Sequence, residues 1–159
     1  MLLYHGSNVL VDEPKIIATK KGLDFGAGFY LTSSYEQAKR WAELKKGRSN
    51  KGVATVSVFE IDDDRLSNLK IMTYPKPDRS WLEMITANRI KHPYDIDFDV
   101  ITGPVADDET NRTISFYFQG MYTAEETLKR LLPERLKDQY TFKTEESLTH
   151  LKFVRGENV

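Results

Sequence analysis

The pattern of apolar and polar residues divides the chain into short strands with helices between them. Alternating or β-rich runs predict strands over residues 2–5, 29–31, 52–61, 69–74, 98–101, 139–143 and 152–154. Apolar residues at helical spacing predict helices over residues 34–46, 80–90, 110–119 and 123–132, and a short one over 144–151. Because the strands come in clusters, this order favours an α+β fold over a doubly wound parallel sheet.

Capping residues mark several helix ends. Ser34 lies three residues before Gln37, and Thr123 lies three residues before Glu126, which is the spacing of a capping box. Each pair predicts a helix N-terminus. Gly47 is a residue type that commonly follows the last turn of a helix, so it predicts the end of the first helix.

Length and composition indicate one globular domain over residues 1–159. The chain is 40% apolar, 11% aromatic and 30% charged, which excludes a disordered protein. The net charge of -1 argues against an extended electrostatic contact with nucleic acid. The first residues lack the basic region of a signal peptide, and no run reaches the roughly 20 apolar residues of a membrane helix. We therefore expect a cytoplasmic protein with no membrane partner.

Cysteine chemistry and a zinc site are also excluded. The sequence has no cysteine, which removes disulfides, thiolate ligands and cysteine nucleophiles. The histidines are His5, His92 and His150, and they do not have the spacing of a zinc-binding pair. We expect no metal cofactor.

The segment His5-Gly6-Ser7 is the first of three candidates for a functional role. A histidine that leaves a strand at a glycine turn can point its ring into a cleft, while the glycine amide bonds a ligand. A hydrogen-bonded structural histidine fits the same residues.

The second candidate is the glycine-rich run at residues 24–32. Gly26 and Gly28 allow the backbone to approach a ligand closely, and Tyr30 and Trp41 can form two walls around a flat ring. A strand follows these glycines, whereas a helix follows them in a dinucleotide-binding Rossmann turn. A glycine-rich loop beside two ordinary core aromatics is the alternative.

The third candidate lies at residues 138–142, where polar residues alternate with aromatic ones. Taken in order, the three segments resemble the ADP-ribosyltransferase superfamily, in its diphtheria-toxin and poly-ADP-ribose-polymerase branch with a His-Tyr-Glu triad. Residues 3–7 resemble its first motif, residues 25–32 its second and residues 138–142 its third, except that Gln139 stands where glutamate is usual. The overall pattern is similar to a bacterial family of unknown function placed in this superfamily.

The resemblance implies a split antiparallel β-sheet with flanking helices and NAD⁺ as co-substrate in its cleft. Tyr30 and Trp41 would sandwich the nicotinamide ring, the Gly6 backbone would hold its amide, and His5 would bond the adenosine-side ribose. The implied NAD⁺-binding residues are His5, Gly6, Ser7, Gly28, Tyr30, Thr32 and Trp41, and the implied catalytic residues are His5, Tyr30 and Gln139. In the family the glutamate stabilises an oxocarbenium-like cation and orients the ribose 2′-hydroxyl.

Gln139 leaves three interpretations open. The amide orients a hydroxyl in a working enzyme, or another acid supplies the charge, or the fold binds NAD⁺ without transferring anything. The candidate acids are Glu145, Glu146, Asp107 and Asp108. Loss of a general base typically costs about 10²–10⁴-fold in rate, and we expect no polymer elongation.

The resulting functional hypothesis is a mono-ADP-ribosyltransferase that uses NAD⁺ and modifies an unidentified macromolecular acceptor, a protein or a nucleic acid. By analogy, such a domain is the toxin of a bacterial toxin–antitoxin or defence pair, with a cognate antitoxin as partner. The alternatives are a catalytically silent NAD⁺-binding or protein-binding module and an NAD⁺ glycohydrolase. An RNA phosphotransferase of the same fold would need a cluster of arginines and histidines that we do not find in the sequence.

Overall fold

The structure is a computed structural model that describes residues 1–18, 22–91, 97–106, 108–131 and 137–159. The strands are β1 (Leu2–Ser7), β2 (Phe29–Leu31), β3 (Thr55–Ile61), β4 (Ile71–Thr73), β5 (Val100–Pro104), β6 (Asp138–Phe142) and β7 (Leu151–Asn158). The α-helices are α1 (Tyr35–Ser49), α2 (Arg79–Thr86), α3 (Asp108–Phe118), α4 (Ala124–Leu131) and α5 (Glu145–Leu148). A 3₁₀ turn covers Asp63–Asn68, and a π-helical turn, Ala87–Lys91, extends α2. The predicted α+β class is confirmed.

The strands form two sheets. One is antiparallel with the order β1-β3-β7, and the other has the order β2-β6-β5-β4. The prediction of a wholly antiparallel arrangement is wrong at β4 and β5, which pair in parallel. The reason is their connection, because α2 lies between them in the chain and β5 runs beside β4 in the same direction.

Three apolar clusters order these elements into four layers. Leu3, Phe29, Phe59 and Phe142 belong to the cluster between the two sheets. On the outer side of the first sheet, α1 packs on β3 through a cluster that contains Ala38. On the outer side of the second sheet, helices α2, α3 and α4 share a further cluster. The order is therefore helix, sheet, sheet and helices.

The two predicted helix N-termini are confirmed. The Ser34 hydroxyl accepts the Gln37 N–H at 3.3 Å, and the Thr123 hydroxyl accepts the Glu126 N–H at 3.2 Å. The predicted end of α1 at Gly47 is wrong. The helix continues to Ser49 and ends at Asn50, whose φ of 50° is left-handed and whose N–H donates to a carbonyl of the last turn.

The two sheets meet at β1 and the end of β2. The Tyr4 N–H donates to the Thr32 carbonyl at 2.9 Å, and the Thr32 N–H donates to the Tyr4 carbonyl at 3.0 Å. Because His5 follows Tyr4 and Tyr30 lies at the centre of β2, this bridge brings the first two candidate segments together.

Candidate functional site

A cavity of ≈ 420 Å³ lies at this junction. Its walls come from β1, the glycine-rich run, β2 and one side of α1. The lining residues are His5, Gly6, Ile17, Leu23, Gly28, Phe29, Tyr30, Trp41, Leu44, Lys45 and Arg48. The lining is mainly apolar, with cationic side chains contributed only from the last turns of α1 among the described residues.

Five of the eight residues implied by the resemblance line this cavity. They are His5, Gly6, Gly28, Tyr30 and Trp41. The remaining three, Ser7, Thr32 and Gln139, are buried outside its lining. The structure therefore groups the first two motifs around one space and gives the third motif a different environment.

His5 is held in one orientation and in its neutral form. Its Nδ1 lies 2.7 Å from the Tyr30 carbonyl oxygen, and its ring stacks on Phe29 with a centroid distance of 4.5 Å. Burial, together with the nearby Lys45 ammonium, lowers the pKa of His5 to about 4. A carbonyl only accepts, so Nδ1 carries the proton and Nε2 is an acceptor at neutral pH.

The Tyr30 hydroxyl forms hydrogen bonds with the backbone of the glycine-rich run. The hydroxyl donates to the Gly26 carbonyl at 2.6 Å and accepts the Phe25 N–H at 3.1 Å. Gly26 has a φ of 76°, a conformation that favours glycine. Burial, and secondarily the Asp24 carboxylate, raises the pKa of Tyr30 far above its usual value. Tyr30 is therefore a neutral wall of the cavity and is not a general base at neutral pH.

The two glycines of the lining also have a packing role. A Cβ on Gly6 would lie 1.9 Å from the Ala38 carbonyl oxygen, and a Cβ on Gly28 would lie 2.6 Å from Thr141 Cγ2. The close approach of α1 to β1, and of the run to β6, therefore requires glycine at both positions. This requirement exists whether or not a ligand binds.

Lys45 and Arg48 contribute positive charge to the cavity from α1. Both residues are exposed, and desolvation of the ammonium against the cavity lowers the pKa of Lys45. The cavity thus combines an apolar interior with a cationic side.

Ser7 and Thr32 take part in strand and helix contacts. Ser7 is paired with Thr55 in the β1–β3 register. The Thr32 hydroxyl donates to Asp138 at 3.0 Å and accepts the Ser34 N–H at 3.1 Å. Thr32 therefore links the start of β6 to the start of α1.

Gln139 lies in a buried polar network with Asp24. Its Nε2 donates to Asp24 Oδ2 at 3.2 Å and to the Pro104 carbonyl at 3.3 Å. Asp24 also pairs with Arg89, whose Nε donates to Asp24 Oδ1 at 2.7 Å. The sequence interpretation missed the bond from Gln139 to Asp24 and the bond from Asp24 to Arg89. The two partners of Asp24 lie 115 and 65 residues away along the chain, and no local pattern links them.

Four acids were considered as substitutes for a catalytic glutamate. The two whose side chains the structure describes do not line the cavity. Glu145 and Glu146 are exposed on α5. Asp107 and the side chain of Asp108 lie outside the described residues, as does His92. Asp24 is accordingly the carboxylate that the described structure places against position 139.

Two features are absent from the described part of the chain. No group of three His, Asp or Glu residues in it is arranged to hold a metal ion. Its helices include none with both the length and the apolar character needed to cross a bilayer.

The comparison with known families decides the classification. A family model described as a protein of unknown function, DUF3990, matches residues 1–153. The chain belongs to the DUF3990 family. The match includes every residue that lines the junction cavity and the network around Gln139, so both features lie within the DUF3990 domain. No curated protein matches the chain.

Proposed function

We propose that this DUF3990 protein binds NAD⁺ in the junction cavity and transfers its ADP-ribose once to a macromolecular acceptor. The observation that carries the proposal is the convergence of His5, Gly6, Tyr30 and Trp41 on one cavity. These residues come from two strands of different sheets and from α1. They are also among the residues that carry the resemblance to ADP-ribosyltransferases.

The cavity has the chemical character that a dinucleotide needs. Its volume of ≈ 420 Å³ lies within the usual range of ligand pockets, roughly 300–1,000 Å³. The aromatic faces of Tyr30 and Trp41 suit a flat nicotinamide ring, and the neutral Nε2 of His5 can accept from a ribose hydroxyl. Lys45 and Arg48 suit the two negative charges of the pyrophosphate.

The proposed reaction breaks the bond between the ribose C1′ and the nicotinamide nitrogen. Nicotinamide leaves with the bonding electrons and becomes neutral, and the acceptor nucleophile bonds C1′ and loses its proton to solvent. His5 and Tyr30 contribute as neutral groups, His5 by binding a hydroxyl and Tyr30 by holding the ring. Positioning is therefore the main contribution of these residues, and the transfer is expected to be slow.

The test is incubation of the purified protein with NAD⁺ labelled in its adenylate part, with and without bacterial lysate. Nicotinamide release and labelled macromolecules are both measured. The variant His5→Ala, Tyr30→Ala should lose the labelling, and His150→Ala, which changes a histidine outside the cavity lining, should retain it. Absence of NAD⁺ binding to the wild-type protein in calorimetry would overturn the proposal.

A second candidate function is NAD⁺ binding without transfer. It is favoured by Gln139, because an amide carries no charge and its nitrogen is already bonded to Asp24 and Pro104. Calorimetric binding with neither nicotinamide release nor labelling would select this candidate. Nicotinamide release without labelling would select the glycohydrolase, and the toxin role with a cognate antitoxin stays a prediction.

A further inference from the structure

The carboxylate of Asp24 accepts hydrogen bonds at both oxygens. Oδ1 accepts a hydrogen bond from Arg89 Nε at 2.7 Å and forms an ion pair with Arg89 Nη2 at 2.5 Å. Oδ2 accepts the Ala106 N–H at 3.0 Å and Gln139 Nε2 at 3.2 Å. Asp24 is 7% exposed and Gln139 is 2% exposed. Three hydrogen bonds and one ion-pair contact therefore hold this carboxylate in one position beside the amide.

The orientation of the Gln139 amide follows from these contacts. Both groups near its nitrogen, Asp24 Oδ2 and the Pro104 carbonyl, are acceptors only. A reversed amide would place Oε1 against a carboxylate oxygen and a carbonyl oxygen, with no proton between them. The nitrogen consequently faces Asp24, and Oε1 is the atom of the amide left to accept a hydrogen bond.

Gln139 also lies on the same face of the second sheet as Tyr30, which lines the cavity. Thr141 is the partner of Tyr30 in the β2–β6 register, and Gln139 lies two residues before Thr141. Side chains two residues apart on a strand point to the same face. Gln139 and Tyr30 therefore project from the same face of the second sheet, and the Asp24 carboxylate interacts with both of them.

We propose that Asp24 is a positioning residue that fixes the orientation of the Gln139 amide, and that its carboxylate requires a neutral side chain at position 139. This inference concerns the folded protein alone and can be tested without any ligand.

The requirement for a neutral side chain has an electrostatic reason. A carboxylate at position 139 would lie against the Asp24 carboxylate, in a buried site. Arg89 is already engaged, since Nη1 donates to Asn111 at 2.9 Å and Nη2 to the Ala106 carbonyl at 3.1 Å. The titratable or charged groups that the described structure connects to this position are Asp24, which bonds Gln139, and Arg89 and Tyr30, which interact with Asp24. An introduced carboxyl would therefore remain protonated at neutral pH.

The decisive experiment is an NMR titration of the side-chain carboxyl introduced by Gln139→Glu. In the single variant, the carboxyl should titrate at about pH 7 or above, because of burial and the like charge. In the double variant Asp24→Asn, Gln139→Glu, it should titrate at least about two pH units lower. A carboxyl that titrates near its usual pKa of about 4.3 in the single variant would overturn the proposal.

A measurement on the wild-type protein covers the case in which a variant does not fold. The two Nε2 protons of Gln139 should exchange slowly with solvent, because each has an acceptor in a buried site. Exposed glutamine amides of the same protein are the internal control. Exchange of the Gln139 protons as fast as that of the exposed amides would contradict the placement of the amide.

Discussion

His5 Nδ1 lies 2.7 Å from the carbonyl oxygen of Tyr30, and this hydrogen bond joins β1 of one sheet to β2 of the other. The contact fixes the tautomer of the histidine, since the carbonyl must receive the proton from Nδ1. It also fixes the position of Tyr30 along the cavity wall. The His5 side chain, which lines the cavity, thus connects the first and second candidate segments.

The buried His5 should make the protein less stable in mild acid. Its pKa is 6.5 when unperturbed and about 4 in the folded protein. As the pH falls below 6.5, the unfolded chain takes up a proton that the folded protein excludes, so the free energy of unfolding decreases down to about pH 4. The expected loss is on the order of 3 kcal/mol, measured by denaturant unfolding from pH 7.5 to pH 4.

Two histidine variants separate this effect from general acid destabilisation. His5→Asn retains a donor for the Tyr30 carbonyl and has no titratable ring, so its stability should decline less between pH 6.5 and pH 4. His150→Gln changes a histidine outside the junction cavity and should retain the wild-type decline. A wild-type decline in His5→Asn would contradict the assignment to His5.

Gly6→Ala and Gly47→Ala should change stability in opposite directions. A Cβ at Gly6 would lie 1.9 Å from the Ala38 carbonyl oxygen, so we expect a loss of about 3 kcal/mol or more. Gly47 lies within α1, and a Cβ there meets nothing within 4 Å among the described residues, so alanine should gain up to about 1 kcal/mol. Denaturant midpoints measure the stability change of each variant. A Gly6→Ala variant as stable as the wild type would show that α1 lies farther from β1 than this structure places it.

The hydroxyl and the ring of Tyr30 should have separable effects. Tyr30→Phe removes the hydroxyl that bonds Phe25 and Gly26, and should cost about 1–3 kcal/mol of stability with little change in NAD⁺ affinity. Tyr30→Ala also removes a wall of the cavity and should lower the affinity at least about tenfold. Calorimetry with NAD⁺ compares the two variants. Unchanged affinity in a folded Tyr30→Ala variant would mean that NAD⁺ does not bind in this cavity.

Lys45→Met should weaken NAD⁺ binding by removing a cation from the cavity lining. The expected loss is about tenfold at low ionic strength, and it should shrink as salt screens the phosphates. Lys129→Met is the matched control, because Lys129 is exposed on α4, in the helical layer on the other side of the second sheet. Equal effects of the two variants would indicate a nonspecific charge effect and not a pyrophosphate contact.

Elements with strong local signals were predicted well. Ser34 and Thr123 begin their helices as expected, since capping depends on residues three positions apart. Gly47 was misleading because a helix tolerates glycine in its interior when other contacts support it, and Asn50 supplied the left-handed residue instead. The parallel pairing of β4 with β5 was missed because strand direction depends on the path of the intervening chain.

Neighbouring residues were sufficient to locate the strand end at His5, the glycine-rich run and the aromatic residues Tyr30 and Trp41, because these patterns are local. Long-range packing decided the surroundings of Gln139. Its amide meets Asp24 from a position 115 residues away, and Arg89 completes the contact from a third segment. A buried carboxylate must find its donors wherever the fold brings them. The alternation of polar and aromatic residues in β6 was therefore enough to predict a strand. Only the assembled sheets determined that Gln139 is bonded to a carboxylate.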